Sequence, residues 1–188
     1  PAVKSLHQES TNNSKPEYIM GHSWQAVSLL VDAGTSLFSL PLSARIHEGV
    51  VFSNRDHRTL LDRMVELLDS LGINEPVYLL ADAYYSCRKI TRALLRSGSH
   101  LISRVRITSV AYEPIAPSPN GKKARGRPRI YGRKIPLRTL FDASGAMTDI
   151  ESPYAGDRDV RLQVRFIDLV WKPVGRLVRF VAVVHPTL

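Results

Sequence analysis

From Tyr18 to Val31 apolar and polar side chains interleave with the short period of a β-strand. After Asp32-Ala33-Gly34 the run Ser36-Leu37-Phe38-Ser39-Leu40-Pro41-Leu42 repeats the pattern. Glycine between two such runs marks a chain reversal, so the spacing predicts an antiparallel hairpin turned at Gly34. Pro1 to Glu17 are polar without a period and read as an irregular lead-in. The next pattern is helical. Leu60, Leu61, Met64, Val65, Leu68 and Leu71 share a face, Ser53 or Asn54 offers a cap, and Gly72 supplies a stop. Val77-Tyr78-Leu79-Leu80-Ala81, introduced by Pro76, is short and apolar, which predicts a strand buried on both faces. Asp82 ends it. Ala83-Tyr84-Tyr85-Ser86 opens a second helix, with Ser86 as cap, Ile90, Ala93, Leu94 and Leu95 on its inner face and Gly98 beyond, and His100 to Arg106 reads as another strand.

The order β-β-α-β-α-β predicts an α/β fold with a mixed sheet, helices packed on it and helical crossovers between parallel strands. The pattern breaks after Arg106. Pro114, Pro117 and Pro119 stiffen a segment leading into Lys122-Lys123-Ala124-Arg125-Gly126-Arg127-Pro128-Arg129-Ile130-Tyr131-Gly132-Arg133-Lys134. Beyond it, Arg161 to Trp171 and Leu177 to Val184 read as two strands around the turn-forming Lys172-Pro173-Val174-Gly175. The expected organisation is a core over residues 1–106 and a basic, β-rich insertion with returning strands over 107–188.

Charge sharpens this picture. The 188 residues carry 26 Lys and Arg against 17 Asp and Glu, a net +9 with a pI near 10.0, which favours a polyanionic partner, nucleic acid before an anionic membrane surface. The segment Lys122 to Lys134 has seven basic residues and no acidic one, and so accounts for most of the excess. No signal peptide and no apolar run near the roughly 20 residues of a membrane helix is present, so the expected location is internal, with no membrane partner. The lone Cys87 excludes an internal disulfide and a cysteine-based zinc site, and reads as a small buried hydrophobe. His47-Glu48 lacks the second histidine of a zinc-protease motif, and His22 beside Trp24 reads as a packed strand histidine.

Two features carry chemistry. Asp82 stands at the carboxyl end of an apolar strand, where open α/β sheets build their sites, and equally where an Asp accepts backbone N–H groups at a helix start. Both readings stand on the local pattern. Arg125-Gly126-Arg127-Pro128 cannot easily continue a helix, because glycine is entropically costly there and proline lacks an N–H. An extended Arg-Gly-Arg strip suits a narrow A·T-rich minor groove, in the manner of an AT-hook, while a solvated basic loop touching phosphates is the plainer alternative. Asp32 is turn chemistry, and Asp56, Asp62 and Asp69 fall at or in a helix where a solvated face is the default.

Three passages together resemble the DDE transposases of bacterial insertion sequences. Tyr18-Ile19-Met20-Gly21-His22-Ser23-Trp24 looks like the strand that follows their first catalytic Asp, and Leu79-Leu80-Ala81-Asp82-Ala83-Tyr84-Tyr85 looks like the strand bearing the second. Arg125-Gly126-Arg127-Pro128-Arg129-Ile130-Tyr131-Gly132 resembles a basic segment of a β-rich insertion. The resemblance implies an incomplete ribonuclease-H-like core and metal-dependent DNA strand cleavage and transfer. It implies Asp82 as catalytic residue and ligand of Mg²⁺ or Mn²⁺, with Lys122, Lys123, Arg125, Arg127, Arg129, Arg133 and Lys134 as DNA contacts. The family's first Asp and its Glu are expected before Pro1 and after Leu188, which leaves this segment inactive alone. The implied partners are double-stranded DNA, as transposon ends and target, in the bacterial cytoplasm at the nucleoid, and a homodimer is admitted for the full-length protein. Two other readings remain: a non-catalytic DNA-binding protein using the basic segment, and a nuclease of the same fold.

Overall fold

A computed structural model describes residues 4–7, 16, 18–34, 36–47, 57–115, 129–142, 147–154, 156–157 and 159–186. The chain divides into two compact units, Pro1–Leu79 with Lys89–Leu101, and Leu80–Arg88 with Ile102–Leu188.

The first unit opens with β1 (Lys4–His7) antiparallel to β2 (Tyr18–Gly21), paired from Lys4↔Gly21 to His7↔Tyr18. The supposedly irregular lead-in therefore contains a strand. Four residues with one large apolar side chain are too short to show a period, and it is the pairing with β2 that makes them a strand. The single run expected from Tyr18 to Val31 is two strands, since His22 separates β2 from β3 (Ser23–Asp32). That histidine is exposed, not packed.

β3 and β4 (Leu37–His47) form the expected hairpin, in register from Asp32↔Leu37 to Ser23↔His47. Gly34 has φ +83°, a conformation open to glycine at no steric cost, and Asp32 Oδ1 accepts its N–H at 2.7 Å. The register slips between Val27 and Ser28, where Ser28 meets Pro41, a residue with no N–H to give the ladder.

α1 (Leu60–Ser70) is capped by Thr59, not by Ser53 or Asn54, both of which lie outside the described residues. Thr59 Oγ1 accepts the Asp62 N–H at 3.3 Å and Asp62 Oδ2 accepts the Thr59 N–H at 2.8 Å, a reciprocal capping box. Its most buried residues are Arg63, Met64 and Leu67, so the inner face is turned slightly from the expected stripe. Gln25 Nε2 donates to Leu60 O at 2.9 Å, which ties the hairpin to the helix start. Gly72, at φ +63°, follows the last turn as expected.

β5 (Tyr78–Ala81) pairs with β6 (His100–Ser103). Burial alternates along β5. Leu79 and Ala81 are half-buried, whereas Tyr78 and Leu80 are 70% and 58% exposed, so the strand is not buried on both faces. An unbroken apolar run does not reveal how many of its faces are covered. After Asp82 comes a 3-10 turn over Ala83–Tyr85, and α2 begins only at Arg88, running to Arg96. Ser86 closes the turn, its N–H donating to Ala83 O, and does not cap α2. Ile90 and Leu94 are the buried residues of α2, and Cys87 is only half-buried.

The second unit is built on a five-stranded antiparallel sheet. β7 (Val110–Tyr112), β8 (Lys134–Pro136), β10 (Arg161–Trp171) and β11 (Arg176–Val184) stand in the order β11-β10-β7-β8, with β9 (Thr148–Glu151) also on β10. The long β10–β11 hairpin is the one expected, turned at Gly175 with φ +72°. A 3-10 turn over Leu137–Phe141 lays Leu137 and Leu140 into a core with Ala111, Leu169, Trp171 and Phe180. The Trp171 and Phe180 rings meet edge to face at 5.6 Å, the arrangement their quadrupoles favour.

Among the described residues the strands form four separate sheets, not one continuous mixed sheet, within an α/β arrangement of small sheets and helices. Among them, too, no helix is long and apolar enough to cross a membrane.

Candidate functional site

Asp82 leaves β5 in extended conformation and turns at once into the 3-10 helix. Its Oδ1 accepts the Tyr84 N–H at 2.5 Å, so the carboxylate does cap the turn, and that bond also fixes the direction of the side chain. The residue is exposed, and its second oxygen has no hydrogen bond among the described residues. Ser103, the last residue of β6, donates from Oγ to Asp82 O at 3.1 Å and lies 3.4 Å from Arg104 O. One hydroxyl thus joins the carboxyl ends of the two strands. Beyond Ser103, Arg104 and Arg106 are exposed while Val105 between them packs against the core of the sheet.

A divalent ion needs several hard oxygen ligands, and Asp82 offers one carboxylate oxygen. Among the described residues no three His, Cys, Asp or Glu side chains converge to hold a metal. These residues alone do not fit a complete metal centre.

Of the basic segment, Lys122, Lys123, Arg125 and Arg127 lie outside the described residues, and with them the AT-hook-like core. Arg129 and Lys134 are exposed. Arg133 is committed to an ion pair: its Nη2 and Nε donate to Glu113 Oε1 at 2.6 and 3.1 Å, holding the Glu113 carboxyl below its usual range. Tyr131 packs on Tyr112 with ring centroids 4.9 Å apart. A cleft of about 270 Å³ lies beside the Glu113–Arg133 pair, lined also by Asp142 and Arg165, and Asp82 is not part of it.

Asp62, Asp168 and Asp157 have structural partners. Asp62, expected on a solvated face, accepts from Lys89 Nζ at 2.5 Å and from Thr59, which together lower its pKa to about 2. Asp168 and Arg179 pair across β10 and β11 through two bonds of 2.9 Å. Asp157 accepts from Ser152 Oγ at 2.7 Å and stands 3.2 Å from His185 Nε2. His47 is buried, and burial together with Arg63, Arg45 and Arg58 lowers its pKa, which disfavours the protonated imidazole.

Ser103, Arg104 and Arg106 have no place among the sequence-derived candidates. Their signal was nonetheless legible: from Ala83 to Tyr112 there are six Lys and Arg and no Asp or Glu. This stretch and the segment at 122–134 together hold thirteen positive charges against a net +9, so the rest of the chain is net acidic by four.

No curated protein and no solved structure matches the chain. A family model described as DDE superfamily endonuclease matches residues 10–158, about four-fifths of the sequence, including β5, Asp82, the Ser103 brace and the whole basic segment. With Asp82 capping the turn at a strand end and two basic stretches following it in the chain, this sequence belongs to the DDE superfamily endonucleases.

Proposed function

We propose that the chain is part of a DDE transposase acting on double-stranded DNA, with a ribonuclease-H-like core carrying Asp82 and a basic insertion over 107–188 that grips the DNA. The observation that carries this reading is the geometry of Asp82: one carboxylate oxygen is anchored by the Tyr84 N–H and the other is left outward at the end of β5. Anchoring removes rotamer freedom before any ligand arrives, which is what a metal-binding carboxylate needs. The other carboxylates come from outside the described residues, and the ion they share with Asp82 is Mg²⁺ or Mn²⁺. Such ions supply charge stabilisation at the oxygens of phosphodiester displacement. Lys122, Lys123, Arg125, Arg127, Arg129 and Lys134 are the proposed backbone and minor-groove contacts.

A second reading has its own support, because the Tyr84 bond also makes Asp82 a plain turn cap. On that reading the chain binds DNA and Asp82 serves only the fold. The two separate cleanly by substitution in the parent protein. Asparagine caps about as well as aspartate but carries no charge, while alanine caps poorly. The catalytic reading expects Asp82→Asn to melt like wild type and lose divalent-metal-dependent strand cleavage, with Asp82→Ala losing both. Cleavage by Asp82→Asn at the wild-type rate would refute it.

A further inference from the structure

The end of β6 is held against Asp82 without contributing to the core. Ser103 Oγ reaches Asp82 O at 3.1 Å and Arg104 O at 3.4 Å, which fixes the Arg104 peptide beside that of Asp82. Val105 packs inward and a turn closed by Ser109 N–H donating to Arg106 O at 2.9 Å holds the following backbone. Arg104 and Arg106, on either side of Val105, are exposed, and among the described residues neither makes an ion pair or a side-chain hydrogen bond. They sit in the acid-free stretch Ala83 to Tyr112, whose one adjoining carboxylate upstream is Asp82 itself.

A carboxylate repels a phosphodiester wherever no cation intervenes, so DNA approaching Asp82 without metal meets a like charge. Guanidinium groups carried on the adjoining backbone of residues 104 and 106 would offset that repulsion and present paired donors to phosphate oxygens. We infer that Arg104 and Arg106 form a second DNA-backbone contact, separate from the 122–134 segment, which positions a phosphate at Asp82, with Ser103 as the brace that sets its place. This rests on the proposed DNA partner and adds to it which residues hold the strand at the carboxylate.

Each phosphate neutralised on B-DNA contributes a slope of about −0.9 to log affinity against log salt. The 188-residue chain is titrated with a duplex in metal-free buffer over a range of salt, as wild type, Arg104→Gln, Arg106→Gln, the double variant, Arg104→Lys and Arg176→Gln. Arg176 is an exposed cation at the start of β11, so its substitution removes the same charge from elsewhere in the same unit. The inference expects each Gln variant at 104 and 106 to flatten the slope by about one phosphate, and the double variant by about two. It expects Arg104→Lys to keep the slope, and Arg176→Gln to leave it unchanged, with all melting curves superimposed. A slope unaltered in the double variant of a chain that binds DNA would overturn this inference alone, as would an equal effect of Arg176→Gln. A wild-type chain with no DNA affinity at any salt would overturn the proposed partner as well.

Discussion

Asp62 and Asp82 each accept a backbone N–H at the start of a helical turn, and their surroundings separate them. Asp62 has Lys89 Nζ at 2.5 Å and both the hydroxyl and N–H of Thr59, and its pKa falls to about 2 from 3.8. A lowered carboxylate pKa adds stability that is complete above the unfolded value of 3.8 and is lost as pH falls toward about 2. Asp62→Asn should therefore lower unfolding free energy at neutral pH by about 1 kcal/mol and flatten its pH dependence below 3.8. Denaturant melts across that pH range measure both effects. Asp62 had the look of a solvated helix face because Lys89 lies far along the sequence, and no local pattern reports a partner 27 positions away. Asp82 was legible for the opposite reason. An apolar run ending in Asp before Ala-Tyr-Tyr announces a strand end by adjacent residues alone.

Elements were legible in proportion to their length. The hairpins β3–β4 and β10–β11, with strands of nine to eleven residues, stand out from their alternation and their glycine turns. β1, β7, β8 and β9, of three or four residues, show no period and exist through their partners. The start of α1 shows how a local signal is overlooked. Thr59 and Asp62 spell a capping box, while Ser53 and Asn54, several residues upstream, offer the same cap chemistry. Thr59→Ala should cost about 0.5–2 kcal/mol in a thermal or chemical melt. Within the basic segment, Gly132 donates its N–H to Glu113 O at 3.0 Å, and a Cβ there would stand 2.6 Å from that same oxygen. Glycine is required by this close approach of two backbones and not by its own dihedral angles. Gly132→Ala should push β7 and β8 apart and cost about 1–3 kcal/mol, with amide exchange quickened at Glu113 and Lys134 first.

At the scale of the whole molecule, the chain forms two compact units and carries two basic stretches. The stretch at 122–134 was conspicuous because its charges are contiguous. The one from Ala83 to Tyr112 was not, because its six cations are diluted among the apolar residues of α2 and β6. What joins Arg104 to Asp82 is a serine hydroxyl spanning 21 positions, a contact that only the pairing of β5 with β6 brings about. The family match covers both stretches and the carboxylate that precedes them. The central claim is that Asp82 ligates the metal ion of a DNA-cutting centre. Fe²⁺ substituted for Mg²⁺ in the parent protein, with added hydrogen peroxide as oxidant and ascorbate to re-reduce the iron, generates hydroxyl radicals at the metal, which cleave the nearest polypeptide. The account predicts backbone cuts at Ala81–Ala83 and at Ser103, suppressed by excess Mg²⁺ and absent in Asp82→Asn. Cuts confined to other segments, or unchanged in Asp82→Asn, would contradict it.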